Sequence, residues 1–293
     1  MPRIGLGLGL GQFSGGGGSA FIGLLDTYPN AAAAYSVRLL RTAYTGSAIR
    51  VRRSSDNAEQ DIGFVSGSLD TSSLTSFCGA GNGFVTTWYD QSGNGNNATQ
   101  TTAANQPQIV SSGNVLTTNG KPSAQFDGTN DFLLYNSNLF LGAGTRTILS
   151  IYKPNNATGS FTYSIFGQSG DSTNGNFTVL QSRTIAVTGD PYFAGYSADL
   201  GNGLTTPNTN QKLAQFNYNG TTGYLYKNNS LVTSGAITLN ALSNGKLLIG
   251  VAFSSNYGEW ANANIQECIA WASNQDANTS AISTNINTYY GIY

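Results

Sequence analysis

The chain has 293 residues with a net charge of −1; only 9% are charged, 39% are hydrophobic and none is histidine. Near-neutrality excludes a global field that would gather nucleic acid or an anionic membrane. The absence of histidine excludes Ser-His-Asp and Cys-His nucleophiles and the usual zinc sites, leaving carboxylate chemistry open.

Such a composition supports a substantial core under a neutral surface rich in Gly, Asn, Ser and Thr, rather than disorder. Cys78 and Cys268 are too few for a disulfide framework, and whether they pair is left open. Met1-Pro2-Arg3 precedes an apolar run, Ile4 to Leu10, too short and glycine-rich for a signal-peptide core. No segment reaches the length of a transmembrane helix. A surface-type composition without an export signal leads to an expectation of release by cell lysis.

Residues 1–20 read as a glycine-rich arm. Ile4, Leu6, Leu8 and Leu10 fall on one face of an extended strand suited to pairing with another protein's sheet edge. Gly15 to Gly18 form a joint. From Asp26, Pro29-Asn30 and the alanines 31–34 predict a helix running to Ala43 and stopped by Gly46. Residues 49–53 alternate as a strand. Arg38, Arg41, Arg50, Arg52 and Arg53 read as local ion-pair and carbonyl partners, with Asp56, Glu59 and Asp61 as acceptors. Asp70 is a helix cap, and that helix runs to Phe77.

Phe84 to Tyr89 is β-branched or aromatic throughout and breaks at Asp90-Gln91-Ser92-Gly93-Asn94-Gly95, a tight-turn run. Trp88, Tyr89, Asp90, Gln91 and Asn94 are the candidate glycan-binding rim, since stacking rings beside amides and carboxylates suit neutral sugars. The alternative is that the aromatics fill the core and Asp90 caps the turn. Asp127, Asn130 and Asp131 form a second candidate glycan-binding cluster, which could also hold Ca²⁺ through oxygen ligands; the alternative is that they cap their own turn. Further strands are expected at 146–153, 161–166, 176–181, 184–188, 211–217, 222–227, 246–253 and 264–272, and a closing helix over 275–290.

The run Phe126-Asp127-Gly128-Thr129-Asn130-Asp131 resembles the laminin-G/concanavalin-A-like superfamily. Three further segments are similar to the catalytic domain of family 54 α-L-arabinofuranosidases. These are Tyr35 to Gly46, Val51-Arg52-Arg53-Ser54-Ser55-Asp56 and Tyr89-Asp90-Gln91-Ser92-Gly93, with a fainter match over Gly250–Tyr290. The resemblance implies a mainly β, two-sheet concanavalin-A-like jelly-roll sandwich with a few short helices, spanning 21–293 behind the arm 1–20. It also implies retaining hydrolysis by two carboxylates.

On that alignment the nucleophile position is Thr178 and the acid/base position is Ser254, neither a carboxylate. The family's adjacent cysteines are missing around Ser164-Ile165-Phe166. Cys78 falls on a family cysteine whose partner position is Gly83, which suits folding in a reducing cytosol. Asp171, Asp190, Asp199 and Glu259 are the remaining carboxylates for the role, and Glu267 is expected to face solvent or a neighbouring strand.

The resulting expectation is a non-enzymatic phage virion protein: a head or tail fibre, spike or decoration subunit on the virion surface. It would be attached to other virion proteins through its arm, homo-oligomeric (a trimer by preference) and able to bind host-surface glycans. It would have no cofactor beyond that Ca²⁺ candidate, no nucleic-acid partner and no membrane insertion. The alternatives are an active arabinofuranosidase-like glycoside hydrolase or a carbohydrate-binding protein of the bacterial cell surface.

Overall fold

The computed structural model describes residues 21–156, 162–170, 173–183, 190–201, 208–254 and 257–293. The arm 1–20, with Ile4, Leu6, Leu8 and Leu10, lies outside them, as does the strand expected at 184–188. The chain is a mainly β sandwich with a few short helices.

One layer is organised on the strand Asn262–Trp271. Arg146–Pro154 pairs antiparallel along one side of it, followed outward by Lys212–Tyr218, Thr222–Lys227 and Ser230–Ala236. Its other side is shared by two strands: Ala31–Ser36 pairs with the C-terminal half and Ala124–Asp127 with the N-terminal half.

The second layer runs Tyr192–Ala194, Thr178–Arg183, Thr162–Ser169, Lys246–Ile249, Leu133–Tyr135, Ala98–Thr99, Gly83–Trp88, Ile49–Arg53 and Glu59–Ile62. Gln108–Ser111 bridges the layers by pairing with both Gly83–Trp88 and Ala124–Asp127. Between them lies a continuous core that includes Trp88, Phe126, Ile148, Phe166 and Trp271. Phe193 of one layer stacks on Phe216 of the other, with ring centroids 3.4 Å apart. The expected strands at 146–153, 161–166, 176–181, 211–217, 222–227, 246–253 and 264–272 all have counterparts, with shifted ends. So do the Asp70-capped helix, Thr71–Cys78, and the closing helix, Thr279–Tyr290.

The long helix expected from Asp26 does not form. Its place is taken by one turn, Leu24–Thr27, and then the strand Ala31–Ser36. Asn30 turns the chain with φ 63, and Ala33 and Ala34 are completely buried. These alanines are there for their small volume between the neighbouring strand and the Asp90 loop. Close packing has overridden helix propensity.

Two charge assignments also change. Glu267 does not face solvent: it is fully buried and bound by Arg38 Nε and Nη2 at 2.8 and 3.0 Å. Arg38 is therefore a long-range partner rather than a local one. Arg50 and Arg53 do pair locally, with Glu59 and Asp61 and with Asp56. Cys78 and Cys268 are both buried and unpaired. A Cβ added at Gly83 would lie 2.7 Å from Cys78 Sγ, so these two positions are adjacent, as the resemblance implies.

Candidate active site

The antiparallel pair Thr162–Ser169 and Thr178–Arg183 sets Ser164 opposite Gln181. Glu259 comes to this pair from the distant segment before Asn262–Trp271, and Ser164 N donates to the Glu259 carbonyl at 3.2 Å. Its side-chain carboxylate accepts from Ser164 Oγ at 2.8 Å and from Gln181 Nε2. Gln181 Nε2 also donates to Ser164 Oγ at 2.9 Å.

Burial raises the Glu259 carboxyl above the ordinary glutamate range. The hydroxyl and amide donors and the Arg183 charge oppose that rise, and Asp199 adds to it. Arg183 lies over the Tyr192 ring, 4.2 Å from its centroid. The Tyr192 hydroxyl is pushed upward by burial and then by the nearby Asp199 charge. Asp199 is exposed and also accepts from Gly195 N at 2.9 Å. Glu259 and Asp199 thus share one electrostatic neighbourhood with a cation and a hydroxyl-bearing ring between their environments.

The two positions assigned by alignment behave differently. Thr178 is fully buried, and its Oγ1 accepts from Arg146 Nη1 at 3.1 Å. Side chains alternate along a strand, so Thr178 shares a face with Leu180 and Ser182, whereas Gln181 and Arg183 point the other way, toward Glu259. A one-residue register error in an alignment therefore exchanges the two faces. The Ser254 side chain lies outside the described residues, as does Asp171. Asp190 is buried against Lys212 and Tyr152, an ion pair closed off from solvent.

The glycine-turn cluster divides. Trp88, Asp90 and Gln91 are buried. Asp90 accepts from the backbone of Ala34, Ser92 and Asn96, and Gln91 ties Leu40 N to the carbonyls of Ser36 and Arg38. Tyr89 donates to Asp61 at 2.7 Å and Asn94 to the carbonyls of Ala31 and Ala32. Trp88, Asp90 and Gln91 thus follow the core-filling and turn-capping alternative, while Tyr89 is half-buried and Asn94 exposed.

At the second cluster, Asp127 Oδ1 accepts from Thr129 N and Asn130 N, and Asp131 Oδ2 from Asp127 N. Among the described residues, no group of three or more Cys, Asp or Glu side chains converges as a metal site. Glu259 was legible only as a spare carboxylate; no motif in the sequence marks Ser164 or Gln181 as its partners.

Residues 26–137 match the family model described as alpha-L-arabinofuranosidase B, catalytic. The chain is 29% identical over 237 residues to a probable alpha-L-arabinofuranosidase B of Aspergillus flavus, covering 79% of this chain and 41% of that protein. It is 30% identical over 182 residues to one of Aspergillus terreus, covering 61% and 31%. It thus spans about two fifths or less of these relatives.

Among solved structures, an arabinofuranosidase complexed with arabinofuranosyl-alpha-1,2-xylobiose superposes with a TM-score of 0.70 at 17% identity, over 87% of this chain and 62% of that one. A family 54 α-L-arabinofuranosidase soaked with a cyclic sulfate inhibitor gives 0.66 at 18%, with the same coverage. At these identities the structural likeness establishes the fold. The curated relatives and the family model are of enzymes, and they overturn the expectation of a non-enzymatic virion component. That expectation rested on reading Thr178 and Ser254 as emptied catalytic positions. It held Glu259 only as one of four spare carboxylates, and the fold delivers it to the opposite face of the Thr178–Arg183 strand.

Proposed function

We propose that the chain is a glycoside hydrolase domain acting on α-L-arabinofuranosides, with Glu259 as its proton-exchanging carboxyl group and Asp199 as the second carboxylate. One observation carries the assignment: on a sandwich similar to arabinofuranosidase catalytic domains, a half-buried glutamate is held by Ser164 and Gln181 with its pKa raised.

Glycoside cleavage needs an acid that is still protonated near the working pH to release the aglycone oxygen. It also needs a second carboxylate to support the oxocarbenium-like transition state or attack it. Glu259 meets the first requirement through its environment. Ser164 and Gln181 fix its orientation and would stabilise the anion left after proton transfer. Asp199, exposed and held by the Gly195 amide close to Tyr192, supplies the second group.

The test is release of 4-nitrophenol from 4-nitrophenyl α-L-arabinofuranoside by the full chain. Glu259→Gln and Asp199→Asn should each lower kcat by about 100-fold or more, while Thr178→Ala, on the opposite face, should leave the rate within about threefold. In the wild type, the alkaline limb of the pH profile should lie above the ordinary glutamate range. Absence of release by the wild type, or a Glu259→Gln variant that keeps its rate, overturns the assignment.

A further inference from the structure

The turn after Phe126 opens onto a cavity of about 320 Å³ lined by Phe84, Gln106, Gln108, Gln125, Asp127 and Asp131, with two alanines. Its walls are held rigidly. Gln106 accepts from Arg52 Nε at 2.7 Å and donates to the Gln100 carbonyl at 2.9 Å. The Arg52 guanidinium lies over the Phe84 ring, 4.9 Å from its centroid.

What remains open on these walls is a defined set of polar atoms. Asp127 Oδ1 and Asp131 Oδ2 are taken by backbone amides, which leaves Oδ2 of the first and Oδ1 of the second. Gln108 Nε2 is spent on the Val110 carbonyl, which leaves Oε1. The half-buried Gln125 amide has no hydrogen-bond partner among the described residues. Asp131 is 7% exposed and so meets its occupant largely out of water.

The pocket therefore offers several acceptors and one amide donor beside an aromatic ring. An anion would meet two carboxylates. A hydrocarbon would leave the free oxygen of the buried Asp131 carboxylate without a partner. A calcium ion asks for six or more oxygens, more than converge here. Adjacent hydroxyl groups fit: each donates to a carboxylate or amide oxygen, accepts from Gln125, and presents C–H surface to a ring.

We propose that this pocket binds a neutral sugar residue through vicinal hydroxyl groups, as a saccharide site separate from Glu259 and independent of whether the chain hydrolyses anything. Phe132, next to Asp131, packs on Trp260, next to Glu259, with ring centroids 5.8 Å apart. An aromatic pair thus connects the two regions.

The experiment is an NMR titration of the ¹⁵N-labelled full chain with xylobiose, reading the Gln125 side-chain amide, and a parallel titration with calcium chloride. Xylobiose should shift the Gln125 NH₂ resonances. Asp127→Asn, which keeps the amide-accepting oxygen, and Gln125→Leu should each weaken binding by about fivefold or more, the loss of one or two hydrogen bonds; for Gln125→Leu the shift is followed at the Asp127 and Asp131 amides. Glu259→Gln should bind as the wild type does, which separates failure here from failure of the hydrolase assignment. Binding unchanged in both pocket variants overturns the proposal. So does a Gln125 response to calcium alone, or no response to xylobiose.

Discussion

Replacing Arg38 by methionine tests the buried ion pair on which the closing helix rests. Glu267 is 0% exposed and accepts from Arg38 Nε and Nη2, from Ser36 Oγ at 2.6 Å and from the Tyr290 hydroxyl at 3.1 Å. The guanidinium also reaches Asn285 on the helix at 2.8 Å and lies 5.4 Å from the centre of the Tyr289 ring. Arg38→Met removes two charge-assisted bonds and strands a carboxylate in the core with two hydroxyl donors. Removing one partner of such a pair costs about 3–5 kcal/mol, most of it the desolvation of the charge left behind. With a slope of about 3 kcal/mol per molar urea, the unfolding midpoint should fall by about 1–1.7 M. The double variant Arg38→Met/Glu267→Met removes the stranded charge and should regain about 2 kcal/mol of that loss. A single-variant loss under about 1 kcal/mol, or a double variant no more stable than Arg38→Met, would refute the reasoning.

Two further outcomes follow from described geometry. Burial, and then the neighbouring Asp127, lift the Asp131 carboxyl from 3.8 to about 7. Because its folded pKa is raised, its contribution to stability is complete below about pH 3.8 and disappears as the pH climbs through 7, by at most about 4 kcal/mol. Asp131→Asn should therefore match the wild type near pH 4 and exceed it at pH 8 in urea unfolding, and equal pH slopes for the two proteins would refute this. Gly167 has φ 153, and a Cβ there would sit 2.0 Å from the Thr178 carbonyl oxygen of the paired strand. Gly167→Ala should cost about 2–4 kcal/mol or prevent folding, and a variant within 1 kcal/mol of wild type would refute the strand approach.

Much of the sandwich was legible because its strands are short runs rich in β-branched and aromatic residues, and because Gly, Asn and Asp mark the turns between them. The first strand of the outer pairing was not legible. Four alanines carry no β signal, and only their burial between the Asp90 loop and a partner some 235 residues away makes them a strand. The site suffered from a related limit. Ser164, Gln181 and Glu259 are unremarkable polar residues in sequence, and what unites them is strand register, which a pairwise alignment through short, glycine-broken strands does not fix. The Arg38–Glu267 pair was missed for the same reason: proximity across the fold leaves no trace in local spacing. In contrast, the composition of the Asp90 turn announced its importance and left two purposes open, a sugar-binding rim and a turn cap; the purpose of Asp90 and Gln91 is internal.

That purpose has a consequence for how the molecule meets its neighbours. Ala31–Ser36 is bonded to another strand along one side only, so its other side is a row of amide and carbonyl groups of the kind that recruits strands from other molecules. Here that row is met by one loop. Asp90 takes the Ala34 amide, Gln91 N donates to the Ala34 carbonyl, and Asn94, Asn96 and Gln91 side chains occupy the carbonyls of Ala31, Ala32 and Ser36. The loop imitates a neighbouring strand with side chains and then ends, leaving nothing to propagate. A neutral chain lacks the charge repulsion that keeps many β proteins apart. In this one, the border at Ala31–Ser36 is sealed by its own glycine-rich turn, and opening that turn would expose a template for self-association.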